Sequence, residues 1–153
     1  MFNHLKKLDV RDRTAWMDLP EVASNAQLHL RPIGEFNNDY VNALLKMSAR
    51  RIRHAAKIDD LEITREENEQ SRRDDKKLYP AYVIFEWEGI PDEDGKLVDY
   101  SEDNCLEFCE QLPNWIFDRV RAFASTPEKF LGREAVPDSQ ELVKNSESGS
   151  AGS

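Results

Sequence analysis

The chain has little of what catalysis usually needs. Its six glycines are dispersed, so no glycine-rich loop is available to cradle a phosphate. No serine sits in a nucleophile elbow. The three histidines, His4, His29 and His54, are scattered along the sequence, none with a Cys or carboxylate neighbour at metal-ligand spacing. There are two cysteines, Cys105 and Cys109, four residues apart in a helical pattern. A disulfide there would constrain little and two thiols make no zinc site, so they read as core residues in a reducing compartment. No apolar run approaches the length that spans a bilayer, and the opening MFNHLKKLDV lacks the apolar core of a signal peptide. These absences lead to the expectation of a non-enzymatic cytoplasmic protein, without metal, cofactor or membrane.

Acidity is what the chain has in excess. Thirty acidic residues face twenty-one Lys and Arg, a net charge of -9. That argues against nucleic-acid binding, which depends on neutralising phosphates with basic side chains. The charge is also uneven. Ten acids lie between Glu86 and Glu110 against one base, Lys96, whereas Lys46, Arg50, Arg51, Arg53, His54 and Lys57 crowd one segment. Such asymmetry suits head-to-tail self-association, although two solvated faces are the simpler reading.

At 153 residues the expectation is one globular domain, 1–133, with a polar tail over 134–153 ending in SESGSAGS. The expected fold is mainly α with a small N-terminal β-hairpin, an α+β arrangement. Residues 1–15 read as a loose arm or short turn. The hairpin is placed at 15–31: Ala15 to Leu19 and Gln27 to Arg31 have strand character, and Leu28 and Leu30 alternate with His29 and Arg31. Pro20 and Ser24-Asn25 supply the turn between them.

The remainder, 37–131, reads as helical. Asn37 is an N-cap, with Phe36 and Val41 spaced as a hydrophobic staple. Val41, Leu45, Ser48, Ile52 and Ala55 then line one face of a helix that should end between 57 and 60. Thr64 and Glu67 form a capping box for a second helix. From Glu66 to Lys77 that helix contains no apolar residue. It must project into solvent, be held by charge pairs such as Glu69 with Arg73, or be a linker. Tyr82 to Trp87 is the densest apolar stretch, and helix and strand are nearly even there. Helix is preferred, restarting with Pro80 as its first residue. Ser101 caps the next helix, whose apolar face is Cys105, Phe108, Cys109 and Leu112. Pro113 ends it and opens a helix over 114–124 with Ile116, Val120 and Phe123 as its stripe. Thr126-Pro127 starts a last short turn, stopped at Gly132.

The acidic run Asp92-Glu93-Asp94-Gly95 is the sharpest metal candidate. An EF-hand starting at Asp92 would need an oxygen ligand and a glycine where Lys96 and Leu97 stand. A polar turn with Gly95 at positive φ is the better reading. Among the aromatics, Trp87, Trp115, Phe117 and Tyr82 are the candidate partner-contact residues, set against the simpler alternative that each belongs to a core edge.

The stretch from Tyr79 to Leu131 resembles the tail assembly chaperones of long-tailed bacteriophages. The resemblance rests on Trp87-Glu88-Gly89, then Asp92-Glu93-Asp94-Gly95-Lys96, then Tyr100-Ser101-Glu102-Asp103-Asn104, and last Leu112-Pro113-Asn114-Trp115-Ile116-Phe117-Asp118. The hairpin and first helix agree in order alone. Pro80 and the charged 64–77 segment depart from the pattern. The resemblance implies a non-enzymatic chaperone in the host cell cytoplasm. It would bind and solubilise the tape measure protein, help recruit tail tube protein, and be absent from the mature virion. It also implies that a longer form can arise by frameshifting near the C-terminus. Two other classes stand beside it: a structural virion subunit of the tail or head-tail connector, and a small helical nucleic-acid-binding or regulatory module using the basic helix.

Overall fold

A computed structural model describes the backbone of residues 1–52 and 60–132, and the side chains of 1–49 and 65–132. The expected first-helix end at 57–60 and the tail at 134–153 lie largely outside the described residues. The fold is α+β, mainly helical. After a 3₁₀ helix, Asn3–Leu8, come β1 (Ala15–Asp18) and β2 (Gln27–Leu30). These are followed by α1 (Asn38–Ile52), α2 (Asp60–Tyr82), β3 (Ile84–Glu88), α3 (Glu102–Gln111) and α4 (Asn114–Ala124). A final 3₁₀ turn covers Pro127–Phe130.

The hairpin forms where the alternation of apolar and polar residues places it. β1 and β2 pair antiparallel with Met17 opposite Leu28 and Ala15 opposite Leu30. Met17, Leu28 and Leu30 are buried while Trp16 and Asp18 are exposed, as a strand with one covered face requires.

A third strand was not expected. β3 adds antiparallel to β2, giving the order β1-β2-β3. The preferred helix over Tyr82 to Trp87 is therefore corrected: α2 runs through Pro80 to Tyr82, and the chain becomes strand at Ile84. Pro80 neither starts a helix nor breaks one, because it sits in the last turn. The misleading signal has a physical source. Ile84 and Trp87 are three residues apart, a helical spacing, and both are buried. The pairing runs His29 to Glu86 and then Leu30 to Ile84, so Phe85 is the extra residue of a bulge. The bulge brings residues three apart onto one face of the sheet, which a regular strand cannot do.

The helix starts follow side-chain chemistry. Asn37 caps α1, its Oδ1 accepting from the Tyr40 N–H at 3.2 Å. Its Nδ2 also donates to the Tyr82 carbonyl at 2.9 Å, so one side chain starts α1 and closes the end of α2. Ser101 caps α3, its Oγ accepting from the Asn104 N–H at 3.0 Å. The capping box at Thr64 does not mark a helix start, because α2 already runs from Asp60.

The core lies between the buried face of the sheet and the helices. Tyr79 and Val83 on the α2–β3 segment, Cys105 and Cys109 on α3, and Phe117 and Val120 on α4 are fully enclosed. Each large apolar side chain taken out of water contributes roughly 1.5–3 kcal/mol. Val10 is also fully buried and anchors the N-terminal arm. Among the described residues no helix is long and apolar enough to cross a membrane.

Candidate functional site

The charged half of α2 faces solvent at its start and is packed further along, held by long-range pairs as well as local ones. Arg65 to Glu69 are exposed, but Asp74 and Asp75 are 4% and 3% accessible. Arg73 donates to Gln70 at 2.9 Å. The long-range pairs decide the packing. Arg72 grips Asp118 of α4 with two parallel bonds, Nε to Oδ1 at 2.9 Å and Nη2 to Oδ2 at 2.8 Å. Arg121 of α4 donates through Nε to Asp75 Oδ2 at 2.8 Å and through Nη2 to Ser71 at 2.9 Å. Tyr40 of α1 completes the cluster, its hydroxyl donating to Asp75 Oδ1 at 2.7 Å. Lys76 Nζ donates to the Leu112 carbonyl at the end of α3, at 3.1 Å. An apolar-free segment is thus an interface built of charge.

The electrostatics are those of a structural joint. Burial pushes the Asp75 carboxyl above its ordinary range, against the bonds from Tyr40 and Arg121 that favour its ionised form. Burial also opposes the charge of Arg121, but Asp75 and Asp118 outweigh it and its pKa rises. Both pKa values rise, which disfavours the charge of Asp75 and favours that of Arg121, because Asp75 is enclosed while Arg121 keeps part of its length in water. We take Asp75 as ionised at neutral pH, since both its oxygens receive donors. The Arg72 guanidinium, with Arg121 behind it, holds Asp118 below the usual carboxylate range. Beside the cluster, the Tyr79 hydroxyl is buried without a hydrogen-bond partner. Cys105 is pushed up by its contact with Cys109 and by burial, so it is an inert thiol rather than a nucleophile.

The acidic loop is spent on its own backbone. Asp92 Oδ1 accepts from the N–H groups of Asp94 and Lys96, both at 2.9 Å. Gly95 has φ 83°, and Pro91 bridges Leu97. Among the described residues no group of three or more His, Cys, Asp or Glu is placed to hold a metal ion.

The four aromatic candidates are not brought together. Trp87 is buried, its indole N–H donating to the Val98 carbonyl at 2.8 Å. It meets Tyr100 and Phe108 edge-on, each at 5.3 Å between ring centroids. Phe117 is fully enclosed against Tyr79. Tyr82 is half-buried at the end of α2. Trp115 is 61% exposed in the first turn of α4, next to the exposed Pro113 and Asn114. Trp87 and Phe117 therefore build the fold, and Trp115 is the candidate that faces solvent.

Two groups escaped the sequence reading. One is the cluster of Tyr40, Asp75, Asp118 and Arg121, whose members come from three separate helices. Its only sequence trace is the apolar-free run itself. The other is a stack across the outer face of the sheet. His29 lies flat against Trp16 at 4.2 Å and 7°, and meets Phe85 tilted at 41°, also at 4.2 Å. Its Nε2 meets Thr14 Oγ1 at 3.0 Å. Burial lowers the His29 pKa against the opposing pull of Glu86. The alternation of His29 with two leucines was the available signal for that face.

The motif that resembles phage chaperones is architectural. Gly89 has φ 69°, and a Cβ there would stand 2.3 Å from the Asn25 carbonyl oxygen. Tyr100 donates to the Ile84 carbonyl at 2.7 Å, fastening the approach to α3 onto β3. No curated protein and no solved structure matches this chain. The YdaY prophage protein family matches residues 36–144, more than two thirds of the sequence and every helix from α1 to α4. The chain therefore belongs to the YdaY prophage protein family.

Proposed function

We propose that this prophage protein is a non-enzymatic tail assembly chaperone. It binds the tape measure protein, keeps that long apolar helical chain soluble, and helps tail tube subunits assemble around it. It works in the host cell cytoplasm and is absent from the finished virion. The observation that carries this reading is a coincidence of positions. The stretch whose motifs resemble tail assembly chaperones, 79–131, lies wholly inside the prophage family match.

Surface chemistry supports the reading. A solubiliser must offer an apolar contact to its client and charge to water. Trp115 provides an exposed indole, the type of side chain that anchors interfaces. Glu102, Asp103, Glu107 and Glu110 on α3 are exposed carboxylates. No catalytic residue, metal or cofactor enters this reading.

The test is co-expression with a tape measure protein from the same prophage. The expected result is that the tape measure protein becomes soluble and co-purifies, and that Trp115→Ala lowers the yield of complex. An insoluble partner, with this protein recovered in purified virions, would overturn the reading in favour of a structural tail or connector subunit.

A further inference from the structure

Two unpartnered features of this chain complement each other. The first is the N-terminal arm. In a 3₁₀ helix residues three apart eclipse, so Phe2, at its N-cap, and Leu5 and Leu8 within Asn3–Leu8 form one ridge. That ridge faces water: the three side chains are 64%, 49% and 47% exposed, and the helix has no buried residue. Lys6 and Lys7 flank it, and no acid lies between Phe2 and Leu8. The arm is already formed. Val10 roots it in the core, and the Arg13 guanidinium donates to the Lys7 carbonyl at 3.3 Å.

The second feature is the outer face of the sheet. Its inner face is buried through Met17, Leu28, Leu30, Ile84 and Trp87, whereas the residues alternating with these are exposed or half-buried. Trp16, His29 and Phe85 form an aromatic floor there. Around it stand the carboxylates Asp18, Glu86 and Glu88. The Arg31 guanidinium lies over the Phe85 ring at 5.3 Å. The His29 Nδ1 is enclosed without a hydrogen-bond partner. The face is apolar at its centre and acidic at its rim, while the arm is apolar along its ridge and basic at its flank.

We infer that the N-terminal arm of one copy docks on the outer sheet face of a second copy. The contact is heterologous, since arm and face are different patches, so each molecule presents one donor and one acceptor. Lys6 and Lys7 pair with Glu86 and Glu88 at the rim, and the Phe2–Leu5–Leu8 ridge covers Trp16 and Phe85. A seven-residue arm buries less than a standard interface, which places the contact in the weak, transient class. Charge at the rim makes it weaken with salt. The inference does not depend on the chaperone reading, because it concerns the purified protein alone.

Sedimentation velocity from micromolar to millimolar protein tests it. The wild-type chain is expected to show concentration-dependent association that falls as salt rises. Phe2→Ser, Leu5→Ser and Leu8→Ser together are expected to leave a monomer with an unchanged thermal unfolding midpoint, since none of these residues is in the core. Lys6→Glu with Lys7→Glu should weaken association by at least about tenfold. Adding Glu86→Lys and Glu88→Lys to that variant should restore it. A wild-type monomer throughout the range overturns the inference, and so does undiminished association of the arm variant. Arm variants that abolish association without rescue by the reversed rim would remove the sheet face as acceptor.

Discussion

The Tyr40 hydroxyl donates to Asp75 at 2.7 Å, joining α1 to α2 inside the protein where both residues are nearly fully buried. Asp75 has the Arg121 guanidinium on its other oxygen. One carboxylate thus holds three helices. A buried charge of this kind is costly when alone and tolerable when both oxygens are occupied.

Removing either donor should therefore destabilise by different amounts. Tyr40→Phe keeps the ring and deletes one neutral donor, for an expected cost of ~1–3 kcal/mol. Arg121→Met leaves the buried carboxylate uncompensated and should cost ~3–5 kcal/mol. Urea unfolding measures both. In the triple variant Tyr40→Phe, Asp75→Leu and Arg121→Met, which leaves neither a buried charge nor an unpaired hydroxyl at that point, much of that loss should be recovered, which a purely steric role for Arg121 would not allow.

Two glycines at positive φ should respond very differently to alanine. At Gly95 the added Cβ meets nothing within 4 Å, so the cost is the left-handed backbone alone, ~1–2 kcal/mol. At Gly89 the same Cβ runs into the Asn25 carbonyl. The sheet and the turn before β2 must then move apart, and the loss should exceed that at Gly95 by several-fold. Paired thermal melts of Gly89→Ala and Gly95→Ala check the order.

Trp87 and Trp115 should separate folding from contact. Trp87→Ala empties a buried site and deletes the bond to the Val98 carbonyl, costing ~3–5 kcal/mol. Trp115→Ala alters an exposed position and should change stability by less than about 0.5 kcal/mol. Equal losses of stability in calorimetry would contradict this division.

Acid stability should depend on Asp118. Arg72 first, then Arg121, hold its pKa below the ordinary 3.8 against the opposing effect of burial. A depressed folded pKa confers stability that is fully present above the unfolded value and lost as pH falls through the folded one. Asp118→Asn should thus flatten the decline of the unfolding midpoint below about pH 3.8. Asp118 is more than a third exposed, so solvent screening keeps the effect under about 1 kcal/mol. Asp75 works in the opposite sense. Its raised pKa means that protonation on the acid side relieves a burial cost.

Much of this fold is written in short-range chemistry. The caps at Asn37 and Ser101 act within three residues, and the alternation of Leu28 with His29 assigns its own strand. The break at Pro113 and the stripe of Ile116 and Val120 likewise need no distant partner. These features were legible because a cap, a turn or an amphipathic face is satisfied locally. The Thr64 capping box misled because the same residues are compatible with a helix interior once α2 extends to Asp60.

The candidate site was less legible, for the same reason in reverse. Trp87, Trp115 and Phe117 look alike in sequence, and only packing sorts two into the core and one into solvent. The stack of Trp16, His29 and Phe85 needs three strands in register, one of them bulged.

By itself the sequence determined an acidic α+β chain, the helix starts at Asn37 and Ser101, its hairpin and the family-like order of its motifs. Tertiary structure alone decided that Tyr82 to Trp87 divides between the end of a helix and a bulged strand, because β2 offers its edge there. It alone also decided that the apolar-free run of α2 is an interface. Arg72 and Asp75 satisfy their charge on Asp118, Arg121 and Tyr40, residues that only the folded chain brings within hydrogen-bonding distance.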